Sequence, residues 1–242
     1  MDKPTNHVCI GIQARSTSTR FPGKVFELIG GKEMLRHVRD AAENCAFNLN
    51  RRSHSTGIRV TYAILCPEGD PIRDRYEGSS LVILGSETDV LSRYVDYAKR
   101  LNADYVVRIT GDCPMLPGHL IAKHITTAVA NSYDYCSNVD AFVRTSIDGH
   151  DVEVFSRRAL AWADENAKTD SLREHVTQVM RTPEFRESFR SGSVQGFVDL
   201  SHVKFSVDTP DDLERVRVEY SRVQEKLKRA FSFFGKSNAH RY

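Results

Sequence analysis

The sequence predicts a three-layer α/β/α sandwich built on a mostly parallel sheet. Short apolar runs alternate with segments of helical period along the whole chain, and strands separated by helices pair in parallel through crossovers. The 242 residues, 40% hydrophobic and 27% charged, suit one α/β domain, or a domain carrying a small lobe, and exclude wholesale disorder.

The elements follow in order. Residues 7–14 (HVCIGIQA) read as a short buried strand. Residues 33–45 place Met34, Leu35, Val38, Ala41, Ala42 and Cys45 at helical spacing. Residues 58–66 and 81–84 are the next strands. Residues 88–101 form a helix with Val90, Leu91, Tyr94, Val95 and Ala98 on one face. A strand at 105–109 and a helix at 118–130 complete the regular part. The stretch 131–200 is less regular and is expected to be an inserted lobe, with a strand at 152–155 and helices at 157–166 and 172–181. Residues 203–207 return to strand character, and Pro210 opens a final helix, with Thr209 as its cap and Asp211 and Asp212 in its first turn. The polar segment 48–57 (NLNRRSHSTG) reads as a surface loop and 232–242 as a frayed tail.

Composition narrows the function. Thirty-four Lys and Arg against 32 Asp and Glu leave a net charge of +2, which argues against a broad nucleic-acid surface but says nothing about local clusters. No run approaches the roughly 18 apolar residues of a membrane helix, and the polar first residues show no signal peptide. Five cysteines, odd in number and without a Cys-x-x-Cys pair, support neither a zinc knuckle nor a disulfide framework. The expectation is a reduced, cytoplasmic protein.

Residues 15–24 (RSTSTRFPGK) follow the first strand directly. Ligands of open α/β sheets bind at the carboxyl ends of the strands. Three cations (Arg15, Arg20, Lys24) among four hydroxyls (Ser16, Thr17, Ser18, Thr19) suit a polyphosphate there, although the glycine spacing is neither a Walker A motif nor a Rossmann fingerprint. A solvated charged loop is the plainer alternative. Two later turns put a carboxylate at a strand end: Asp112 in VVRITGDCP and Asp208 in FSVDTP. Together they suit Mg²⁺, which takes one or two carboxylates plus substrate phosphates. Taken singly, Asp112 is equally able to bond turn amides, and Asp208 to serve as a helix-start residue.

At these residues the sequence resembles the spore-coat polysaccharide cytidylyltransferase-like proteins, a group related to the 3-deoxy-manno-octulosonate and sialic acid cytidylyltransferases. The motifs are IQARSTSTRFPGKV, G-x-x-x-D-V-L-x-R-Y from Gly85 to Tyr94, RITGDCP, DGHDVEVFS from Asp148, REHVT from Arg173 and VDTPDDLERV from Val207. They run in the expected order over nearly the whole chain. The resemblance implies a glycosyltransferase-A-like nucleotidyltransferase fold and an enzyme that uses CTP and Mg²⁺ to join CMP to a small anionic acceptor, releasing pyrophosphate. Arg15, Arg20 and Lys24 would hold the triphosphate, with Arg15, Lys24 and Asp112 serving catalysis. Ala14, Gly85, Asp89, Arg93, Thr110 and Gly111 would lie near the nucleotide. Asp112 and Asp208 would ligate the metal, and Asp151, Glu153, Arg173, Glu174 and His175 would line the acceptor side. Related enzymes commonly form dimers, and 131–200 is the candidate contact. The chain departs from the family in Ser16-Thr17, where Met-Gly is usual, in Ile147, where proline is common, and in a longer 48–57 segment.

Plainer readings stand beside these. Glu153 alternates with Val152 and Val154 and so points away from their face, as a solvated glutamate does. Arg173, Glu174 and His175 also suit a surface ion cluster, and Trp162 suits core or dimer packing. Two rival functions remain. A glycosyltransferase of the same architecture usually carries an Asp-x-Asp motif, and this chain has none. A non-catalytic nucleotide-binding protein would bind without releasing pyrophosphate.

Overall fold

A computed structural model describes residues 5–139 and 144–238, with side chains as far as residue 230. β1 (Asn6–Gln13) is followed by the charged loop, a 3₁₀ turn at Lys24–Phe26 and a small hairpin of β2 (Leu28–Ile29) and β3 (Lys32–Glu33). Then come α1 (Met34–Asn50), α2 (Ser53–Thr56), β4 (Ile58–Pro67), α3 (Ile72–Tyr76), β5 (Val82–Gly85), α4 (Val90–Leu101), β6 (Tyr105–Thr110) and α5 (Gly118–Asn131). The second part holds β7 (Tyr135–Ser137), β8 (Glu153–Ser156), α6 (Arg157–Asn166), α7 (Asp170–Glu174), a 3₁₀ turn at Gln178–Arg181, α8 (Pro183–Ser188), β9 (Ser191–Ser193) and α9 (Pro210–Asn238).

Among the described residues seven strands form one sheet in the order β5-β4-β1-β6-β8-β7-β9. β5, β4, β1 and β6 pair in parallel, and β8 runs antiparallel to both β6 and β7. Alternation along the strands feeds two cores. Val8, Ile10 and Ile12 of β1 meet α1 and α5 on one face, while Cys9 and the neighbouring strands meet α4 and α6 on the other. The three-layer sandwich is therefore as expected. Gly11 is needed here because a Cβ would lie 2.5 Å from Tyr94 Cε1, and the Tyr94 hydroxyl donates to the Gly11 carbonyl at 3.2 Å. The segment 131–200 adds β7, β8 and β9 to the same sheet and places α6 against α4. No helix among the described residues is long and apolar enough to cross a membrane.

Four local expectations fail. Residues 48–57 are not an open loop: α1 continues through Asn50, burying Ala46 and Leu49, and Ser53–Thr56 forms a further turn closed by Gly57 at φ 65°. The helix expected at 172–181 breaks at His175–Thr177, where Val176 adopts φ 56°, leaving α7 and a 3₁₀ turn. Residues 203–207 do not pair as a strand beyond an isolated bridge from Lys204 to Asp148, and Val207 is buried under α9 instead. Helical backbone runs to Asn238 where fraying was expected from 232; residues 239–242 lie outside the described residues. Trp162 packs edge-on against Phe185 and Phe189, a core role.

Candidate functional site

β1 stands where the sheet's connectivity reverses: the chain leaves it toward β4 on one side and later returns to β6 on the other. Such a switch point opens a crevice at the strands' carboxyl ends, and a cavity of about 270 Å³ lies there. Backbone bonds close the charged loop into a compact turn. Gly23 N donates to Ser16 O at 2.8 Å, with Gly23 at φ 74°, a conformation glycine adopts without strain. Asp70 accepts from Ser16 N at 2.8 Å, and Glu87 accepts from the Thr17 hydroxyl. Both anchors were missed in the sequence, because each lies more than fifty positions from the loop residue it holds.

The loop's cations meet the two strand-end carboxylates. Lys24 is almost buried, and its Nζ donates to Asp112 Oδ2 at 2.9 Å and Val207 O at 2.7 Å, with Asp208 Oδ1 at 3.5 Å. Asp208 also accepts from Arg20 at 2.8 Å and Lys204 at 3.3 Å. A single backbone bond, Val207 N to Asp112 O at 2.9 Å, brings the two carboxylates together. Burial alone would raise the Asp112 carboxyl, but the Lys24 charge and hydrogen bonds from Lys24 and Thr110 outweigh it and hold the group below the usual carboxylate range. Behind Asp208, Thr209 and Asp212 form a reciprocal cap on α9: Asp212 accepts from Asp208 N and Thr209 N, and Thr209 Oγ1 accepts from Asp212 N.

The cavity gathers most of the predicted residues. Ala14, Arg15, Arg20, Lys24 and Arg93 line one part. Thr110, Gly111, Asp112, Glu174, His175 and Asp208 line the rest. Gln13, Glu87 and Arg108 line it too and were not predicted. Gly85 and Asp89 serve Arg93 and its helix rather than the cavity wall. A Cβ on Gly85 would fall 2.7 Å from Arg93 Cγ, and Asp89 caps α4 by accepting from Ser92 N at 3.0 Å. Arg93 is buried, and its Nη1 donates to Leu65 O at 2.9 Å. Arg173 bridges Asp89 at 2.7 Å and Asp164 at 2.9 Å, fastening α7 to α4. Glu174 lies 3.5 Å from Arg15 across the cavity mouth.

Glu153 corrects the reading as a solvated residue. It does turn away from Val152 and Val154, but α4 and α6 cover that face as well, and Glu153 is 2% exposed. It faces Arg108 across the β6–β8 pairing and accepts from Arg108 Nη1 at 2.6 Å, the Tyr135 hydroxyl at 2.7 Å and the Thr177 hydroxyl at 2.6 Å. Burial would raise its pKa, yet the Arg108 and Arg181 charges and these bonds hold it low and ionised. Asp151 pairs with Arg144 at 2.8 Å; burial first, then the nearby Asp148 and Glu153, push its carboxyl up to about 6 against the pull of Arg144 and Arg108.

Among the described residues no group of three or more His, Cys, Asp and Glu converges on one point. Two hard oxygen donors beside a cationic loop do fit Mg²⁺, which keeps several waters and completes its shell with substrate phosphates. Asp112 and Asp208 are the two carboxylates present here and would be the residues to hold it.

A family model described as cytidylyltransferase matches residues 8–56 and 67–232. The chain is 26% identical over 227 residues to the spore coat polysaccharide biosynthesis protein SpsF of Bacillus subtilis (strain 168), covering 91% of this chain and 89% of that protein. It is 25% identical over 244 residues to a 3-deoxy-manno-octulosonate cytidylyltransferase of Anaeromyxobacter dehalogenans (strain 2CP-C), covering 87% and 96%. A solved cytidylyltransferase from Leptospira borgpetersenii superposes with a TM-score of 0.72 at 27% identity, over 93% of this chain and 95% of that one. A CMP:2-keto-3-deoxy-manno-octonic acid synthetase complexed with CTP shares the fold at a TM-score of 0.62 and 16% identity, over 90% and 99%.

Proposed function

Because this chain belongs to the cytidylyltransferase family, we propose that it transfers CMP from CTP to a small anionic acceptor of the sugar-acid type and releases pyrophosphate. One observation carries the reading: a cationic loop and two strand-end carboxylates line the same cavity at the sheet's switch point. A metal-bound triphosphate needs both signs of charge within a few ångströms. The relatives that are named for 3-deoxy-manno-octulosonate support the acceptor class.

In this reading Arg15, Arg20 and Lys24 hold the phosphates, with Ser18 and Thr19 as further donors. An acceptor oxygen attacks the α-phosphorus opposite the bond to pyrophosphate, so that one P–O bond forms as the other breaks. The protein's part is to align the two substrates and to neutralise the departing charge, with no covalent enzyme intermediate. Mg²⁺ held by Asp112 and Asp208 would supply charge compensation on the phosphates. Glu174 and His175 stand at the acceptor side of the cavity, and Arg173 steadies their helix.

The test is a pyrophosphate-release screen of four nucleoside triphosphates against a panel of sugar acids, with and without Mg²⁺. Release with CTP, an acid and Mg²⁺ together is expected. Nucleotide binding without pyrophosphate release for any acid refutes the reading in favour of a binding protein. Release of free nucleotide from a nucleotide sugar refutes it in favour of a glycosyltransferase.

A further inference from the structure

Arg108 differs from the loop cations in being built into the sheet. Its side chain is 16% exposed, its Nε donates to Gln13 Oε1 at 3.0 Å and its Nη1 to Glu153 Oε2 at 2.6 Å. Those bonds fix the guanidinium and leave Nη2 as the nitrogen for a ligand in the cavity that Arg108 lines. A buried ion pair is a poor device for stability, since apolar side chains of similar volume serve as well or better. A buried pair that leaves one rigid donor at a cavity wall is a good device for recognising an anion.

The sheet order says which anion. On one side of β1 lies the β4–β5 half, where Arg93 is tied to Leu65 of β4. On the other side lies the β6–β8 pair carrying Arg108 and Glu153. The phosphate loop sits between them, after β1. A nucleotide lying over β1, β4 and β5, the half of an α/β sheet that takes mononucleotides, leaves the β6–β8 wall to the second substrate. Glu153 also binds the Thr177 hydroxyl at 2.6 Å. Thr177 follows Val176, held at φ 56°, and that turn sets His175 on the same wall.

We propose that Arg108 receives the anionic group of the acceptor, and that Glu153 acts through Arg108 as a positioning residue. The inference rests on the CMP-transfer reading above and assigns its acceptor subsite. The test compares wild type, R108K, E153Q and the double variant R108M/E153Q; the double variant removes both charges together, so that neither is left buried alone. CTP affinity with Mg²⁺ is measured by calorimetry. Pyrophosphate release is measured with 3-deoxy-manno-octulosonate and N-acetylneuraminate, each beside its uncharged methyl ester.

Wild type is expected to favour charged acceptors over esters by about 100-fold in kcat/KM. R108M/E153Q keeps its CTP affinity within about threefold and loses that preference. E153Q raises the acceptor KM about tenfold with little change in kcat, a split that general loss of structure would not produce, and R108K falls between. Charged-over-neutral preference that survives in R108M/E153Q, or CTP affinity that falls in step with acceptor use, overturns the role of Arg108 alone. A wild type that binds CTP but releases pyrophosphate with no acceptor overturns the CMP-transfer reading, and this subsite with it.

Discussion

Lys24→Met isolates the charge logic of the site. Methionine keeps the length and apolar stem of the side chain and removes the ammonium, which lies 2.9 Å from Asp112 and 3.5 Å from Asp208. Breaking a fully buried pair costs about 3–5 kcal/mol. Here Asp112 and Asp208 are 29% and 22% exposed, and Asp208 keeps Arg20 and Lys204, so a stability loss of about 1–3 kcal/mol is expected. The effect on a divalent ion has the opposite sign. An ammonium about 4 Å from an incoming dication repels it by about 2 kcal/mol even at the dielectric of water. Removing it should tighten Mn²⁺ binding to the nucleotide-free protein about 30-fold, while pyrophosphate release falls because the triphosphate loses a cation. Electron paramagnetic resonance titration of free Mn²⁺ measures the first effect. Equal Mn²⁺ affinity in wild type and K24M would refute the view that Lys24 neutralises the metal carboxylates.

Further outcomes follow from other positions. Asp112→Ala should lower Mg²⁺-dependent pyrophosphate release at least 100-fold, with an unchanged circular dichroism spectrum; near-normal turnover removes Asp112 from the metal site. Gly149 stands at φ 99° with the position of a Cβ 2.6 Å from Phe205 C and on the Ser206 amide. G149A should therefore cost about 2–3 kcal/mol and lower Tm by roughly 5–10 °C, and displace the segment leading to Asp208 enough to weaken Mn²⁺ binding. For Asp151, a carboxyl raised to about 6 ionises more readily in the unfolded chain, so wild-type stability is lost as pH rises from about 4 to 6. D151N lacks this loss: its stability relative to wild type should climb across that window and level off above it. The rise should be about 1–2 kcal/mol, the roughly 3 kcal/mol of the full shift being reduced by partial exposure. Urea unfolding at pH 4, 5, 6 and 7 measures it, and a flat difference refutes the assignment.

Periodicity made the regular elements legible because the physics there is local. Strands β1, β4, β5 and β6 and helices α1, α4 and α5 declare themselves through apolar runs and 3.6-residue spacing, whereas the two-residue strands β2 and β3 and the short helices α2 and α3 are too brief to show a period. Segment 48–57 misled because its polar surface residues outnumber Leu49, the one buried apolar position there that keeps α1 going. Residues 203–207 have strand composition, but only a neighbour with free backbone groups makes a strand, and the chain there meets a turn at Asp148. The site was readable wherever its residues sat in one loop or at one strand end, as with Arg15, Lys24 and Asp112. Arg108 was not, since an arginine inside an apolar strand acquires meaning only from Glu153, 45 positions away. Asp70 and Glu87 escaped for the same reason.

The lysine–carboxylate cluster closes over 184 positions of chain, and Arg15 reaches Glu174 over 159. Closing a loop of that length costs about 4–5 kcal/mol in chain entropy before any bond rewards it, so the sheet must already be in place to hold the ends near each other. In a growing polypeptide the cationic loop is made well before Asp208, which follows Lys24 by 184 positions. The charge cluster therefore forms only where the loop after β1, the turn after β6 and the segment ahead of α9 have been brought together.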